Sequence, residues 1–230
     1  MKRTGFIILF FSLVSSILLA QPNFDRDAAS FHKKAIMLCA AVKNPTPDVK
    51  HIDSLLTNTT TALLSLAGTY QYHPPVEYQG DPLWSSYFVD WADNLLLVKT
   101  FIAERNFSLV QKYCNTFCRI FVRLHENNDR VDLTDLVFTM NLSIKAGQEM
   151  ANANNMELAQ KKADEVEKIM NQIEAMTKNS TNTSFMQDFV KIKPYTVNWV
   201  KAIRDKNPVW AKTMYAMFMK NYVTLFLASL

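Results

Sequence analysis

The chain has 230 residues, 49% of them hydrophobic, with 25 Lys and Arg against 21 Asp and Glu. That near-neutral balance argues against a nucleic-acid partner. The hydrophobic content supports a packed core, and four glycines are few for sheets and tight turns but sufficient for helices. An odd count of three cysteines excludes a disulfide scaffold. It leaves open three buried thiols or one bridge plus one thiol.

Residues 1–20 have the form of an export signal. Lys2 and Arg3 are a basic start, Phe6 to Leu13 and Ile17 to Leu19 are apolar, and Ala20 precedes a cleavage point at Gln21. The apolar stretch is short for a membrane span of roughly 20 residues, and Leu18 is large for its place before the cut. Residues 21–230 are then one all-helical domain, with subdivision points near 127–131 or 178–183, carrying a formal charge of +2 once Lys2 and Arg3 are gone. The protein is expected to be periplasmic or secreted.

From residue 24 the apolar positions Phe24, Ala28, Phe31, Ala35, Leu38 and Val42 step by three and four, the period of a helix face. Asn44-Pro45-Thr46-Pro47-Asp48 interrupts it, with Thr46 placed to cap the next helix. That helix carries Val49, Ile52, Leu56, Thr59, Leu63 and Leu66, and Gly68 is placed to end it. Residues 69–82 are irregular, with Tyr70, Tyr72, His73 and Tyr78 among three prolines. Such a segment is either an interaction loop or an aromatic strap packed over one end of the fold.

Residues 83–103 carry the cleanest stripe, Trp84, Phe88, Trp91, Leu95, Val98 and Ile102, with Asp90 and Asp93 off it and expected in solvent. The next helix presents Phe107, Val110, Cys114, Phe117, Phe121 and Leu124, and stops at Glu126-Asn127-Asn128-Asp129. Asp132 or Thr134 opens another, whose Gly147 allows close helix approach. Past Asn154-Asn155, apolar positions from Ala159 to Ile173 run under a charged outer face, Lys161 to Lys168. A polar linker at 178–183 leads to a helix that Pro194 should kink or break. The last segment, Val209 to Leu230, is apolar nearly all round. That character suits a central core helix, a partner or self-association interface through Trp210, Phe218 and Phe226, or, least favoured, a membrane-associated tail.

Three joints share a design. Asn106 to Lys112, Asn155 to Lys161 and Asn207 to Lys212 each place an Asn cap after one long helix and a small or branched residue four positions on; Asn44-Pro45 is a degenerate fourth. The interval of about fifty residues lies in the range of helical-hairpin arrays such as tetratricopeptide repeats. These helices are longer and that family's consensus is absent, so what is shared is capping physics. The fold class expected is all-α: antiparallel helical hairpins packed as a multi-helix bundle or short helical-repeat array of about eight helices.

One cluster suggests site chemistry. At about 100° per residue, Cys114, Cys118 and His125 fall within roughly 40° of one face, but i to i+11 spans about 16 Å of helix axis. A single ion could therefore be shared by Cys114 and Cys118 at most, with Cys39 or His32 from the first helix. Haem attachment needs Cys-x-x-Cys-His. Here the run Cys114-Asn-Thr-Phe-Cys118-Arg119 is one residue too long and has Arg in place of His. Cys114 and Cys118 as core side chains, or a bridge from Cys39 to one of them, are the other readings. No cofactor is implied. Phosphate loops, His-Glu-x-x-His, nucleophile elbows and di-iron Glu-x-x-His pairs are all missing. The functional expectation is an exported helical binding or scaffold protein. The alternative is a small-ligand, metal or redox bundle using Cys39, Cys114 and Cys118 with a His.

Overall fold

A computed structural model describes residues 23–42, 48–178 and 180–230. The expected export signal of residues 1–20, Asn44 to Pro47 and Asn179 lie outside them. Eight α-helices follow in order: α1 Phe24–Val42, α2 Val49–Tyr70, α3 Trp84–Ala103, α4 Phe107–Asn127, α5 Leu133–Asn152, α6 Met156–Thr177, α7 Thr183–Arg204 and α8 Pro208–Ser229, with a short 3-10 turn at Val76–Tyr78. The protein is all-helical, and neighbouring helices pack in pairs. None of the described helices is long and apolar enough to cross a membrane.

The stripes bury as their periods require. Every named position of α1 and α3 is buried, from Phe24 to Val42 and from Trp84 to Ile102. Consecutive helices form hairpins, and α1 also packs on α4 while α5 packs on α8. Each set of four helices thus closes on itself, giving two four-helix groups instead of an open array. Their cores are separate clusters that part at the α4–α5 linker, except that Ile36 of α1 and Cys118 of α4 pack with the second core.

The joints explain the hairpins. Asn106, Asn155 and Asn207 accept the backbone N–H of Leu109, Leu158 and Trp210 through their side chains. Val110, Ala159 and Ala211, four residues on, are fully buried. Before each Asn a residue lies in the left-handed region: Arg105, Asn154 and Lys206, at φ 55°, 59° and 53°. The N–H of each Asn then reaches back to the carbonyl of Phe101, Met150 or Ala202, closing a Schellman turn. One Asn therefore ends one helix and begins the next. Asp129 (φ 54°) makes the same turn after α4.

Three local expectations are corrected. Asp48, not Thr46, caps α2 by accepting the His51 N–H. Gly68 does not end α2, because burying the Tyr70 ring, whose hydroxyl donates to Asp27 at 2.8 Å, carries the helix onward. Pro194 sits inside an unbroken α7. The carbonyl it leaves without a helical donor belongs to Val190, a residue on the exposed face. Gly147 does allow close approach: a Cβ there would lie 2.7 Å from the buried Trp199 ring.

Residues 71–83 form a strap. Tyr78 is buried and donates to Asp25 at 2.7 Å, Trp84 Nε1 donates to the Tyr70 carbonyl, and Asp81 accepts from Tyr87 and Asn128. Tyr70 and Tyr78 are consequently core side chains, leaving Tyr72 and His73 exposed. On α8, Phe218 and Phe226 are likewise buried and Trp210 is half-buried. Of the seven residues expected on an interaction surface, four point inward.

Candidate functional site

The cysteines divide. Cys39 of α1 and Cys114 of α4 form a disulfide, which takes both sulfurs out of any thiolate ligand set. Cys118, one turn on, faces the second core, where its Sγ lies 3.3 Å from His32 Nε2. The 40° between positions i and i+4 is enough to place the two residues on opposite sides of the seam between the groups. His32 stacks on Phe121 at 4.0 Å between ring centroids, and burial pushes its pKa down to about 3. It is a neutral core imidazole.

His125 serves a different centre. Its Nδ1 is 2.6 Å from Asp135 Oδ2, a carboxylate only 2% exposed at the start of α5. Asp132 and Asp135 form a capping box: Asp132 accepts the Asp135 N–H at 2.9 Å, and Asp135 accepts the Asp132 N–H at 3.1 Å. The ligand atoms of His125, Asp132 and Asp135 lie within 4.8 Å of one another. Those atoms are already engaged with each other and with the backbone, so the trio is a clamp holding the end of α4 to the start of α5. Burial alone would lower the His125 pKa, but the Asp135 hydrogen bond and charge outweigh it and hold it above 6.5. Burial, then the Asp135 charge, raises Asp132 to about 6.

Beside the clamp, Arg130 Nη2 donates to Asp25 Oδ2 at 2.6 Å, and its guanidinium lies over the Tyr78 ring. These groups line a cavity of about 390 Å³, floored by Ala28, His32 and Phe121 and edged by Thr134 and Ser229. Both four-helix groups contribute to it. No family model, curated protein or solved structure matches this chain. The site has therefore to be read from its own chemistry. Charges of both signs face one polar cavity. The two hydroxyls at its edge are spent on carbonyls, Thr134 on Ser229 and Ser229 on Phe226. The arrangement can orient a polar molecule and exchange a proton at His125.

Sequence reasoning placed His32 and Cys118 in one candidate set, and the fold brings them together. It did not pair His125 with Asp135, nor Asp25 with Arg130. The one readable signal was Asp132-x-x-Asp135 ahead of an apolar run, the spacing of a capping box.

Proposed function

We propose that this chain is an exported helical binding protein that takes a small polar molecule in the cavity between its two four-helix groups. The carrying observation is the set of opposed charges, His125 and Arg130 against Asp25 and Asp132, lining a single cavity of about 390 Å³. Pockets for small ligands begin near this size and pair a few fixed polar groups with apolar walls. The signal-like residues 1–20 support export, and so does the Cys39–Cys114 bridge, which suits an oxidising compartment. The test is to purify the protein from the compartment it reaches, denature it, and identify released small molecules by mass spectrometry. The reading expects a stoichiometric molecule from the wild type and its loss from Arg130→Gln.

A second reading, a scaffold that self-associates through the C-terminal helix, has its own support. α8 is apolar, yet Val209 and Val223 remain exposed and Trp210 only half-buried. Sedimentation equilibrium decides it: a dimer that Val223→Glu dissociates would favour the scaffold.

A further inference from the structure

A second cavity, of about 370 Å³, runs between α3 and α4. Antiparallel packing sets the two helices residue against residue, and the Arg123–Asp90 ion pair fixes the register. By that register Asn94 stands opposite Arg119, one turn along the groove. Asn94 is 3% exposed, lines this groove, and has a hydrogen-bond partner at neither Oδ1 nor Nδ2. A buried amide left unpaired on both sides is rare and costly. Asp90 and Arg123 neutralise each other at one end of the groove, which leaves Asp93 and Arg119, both exposed, as its unpaired charges, with the Tyr113 and Thr116 hydroxyls able to donate or accept beside either. Leu97 and Ile120 provide apolar walls.

The Asn94 amide and the two unpaired charges ask for one kind of occupant. A lone anion would leave Oδ1 unpaired and meet Asp93. A lone cation would leave Nδ2 unpaired and meet Arg119. A molecule carrying both charges on neighbouring atoms satisfies all of them. We propose that the α3–α4 groove binds a zwitterionic α-amino acid with an apolar side chain: Arg119 and Asn94 Nδ2 take the carboxylate, Asp93 and Asn94 Oδ1 take the ammonium, and the side chain lies against Leu97 and Ile120. The site is separate from the cavity between the groups, so each reading can fail without the other.

Isothermal titration of the full mature protein with L-leucine and L-phenylalanine tests it. Saturable one-to-one binding is expected. L-Leucinamide lacks the carboxylate and N-acetyl-L-leucine lacks the ammonium. Each should bind at least about tenfold more weakly, because a site built on hydrogen bonds rejects an analogue that leaves its groups unpaired. Arg119→Gln, an exposed change that leaves the core untouched, and Asn94→Leu should each weaken L-leucine by a similar factor. The proposal is overturned if neither amino acid gives saturable heat up to about 10 mM, a bound that is weak on any affinity scale. It is equally overturned if L-leucinamide binds as well as L-leucine, or if Arg119→Gln binds L-leucine unchanged.

Discussion

Asn94 shows how function and stability separate at a single side chain. Its amide is buried on α3 with both polar atoms unpaired. Replacing a buried unsatisfied group by an apolar one of similar shape removes a desolvation cost of about 1–3 kcal/mol. Asn94→Leu is therefore expected to raise the ligand-free stability by about 1 kcal/mol or more, measured by urea denaturation. A variant less stable than wild type would mean that the amide has a structural duty on α3. The residue was not legible from sequence. On a helical wheel Asn94 lies at the edge of the aromatic stripe, about 40° from Val98, and a polar residue at an edge can turn to solvent or to the core.

At the scale of the helix, the joints and the clamp make separate predictions. Lys206 holds a left-handed conformation that costs an L-residue about 1–2 kcal/mol and glycine almost nothing. Lys206→Gly should raise the unfolding free energy by about 1 kcal/mol, and Asn207→Ala should lower it by a similar amount. Equal denaturation midpoints for both variants and wild type would contradict the Schellman-plus-cap description. The α4–α5 clamp predicts a pH dependence. His125 has a raised pKa in the fold, so its contribution is full below 6.5 and fades as pH rises through the folded value. Asp132, raised to about 6, also loses stability as pH rises, between 3.8 and about 6. His32, depressed to about 3, acts the other way, its contribution fading as pH falls below 6.5. Wild type should therefore lose more stability between pH 6 and pH 8 than His125→Asn. Parallel curves would show that the His125–Asp135 contact does not carry the effect.

The whole molecule is two closed four-helix groups joined by a short linker, a clamp and a few side chains that cross the seam. The helices and most of their buried faces were legible because a period of 3.6 and an Asn cap are local signals. How the hairpins closed was not. Nothing local says that α1 returns to α4 or that Cys39 meets Cys114 across 75 residues. For the same reason Tyr70, Tyr78, Phe218 and Phe226 could be assigned from sequence either to an interaction surface or to a core: apolar segments bury or display the same residues depending on what packs above them. The bridge constrains a long loop, so the Cys39→Ser, Cys114→Ser double variant should lose about 2–4 kcal/mol of stability, with the first group unfolding before the second. Native mass spectrometry of the oxidised protein, purified from the compartment it reaches in the cell, tests the central claim most directly. The account predicts one chain cleaved near Gln21 carrying one small polar molecule, which Arg130→Gln lacks. Bare dimers of the same chain would contradict it.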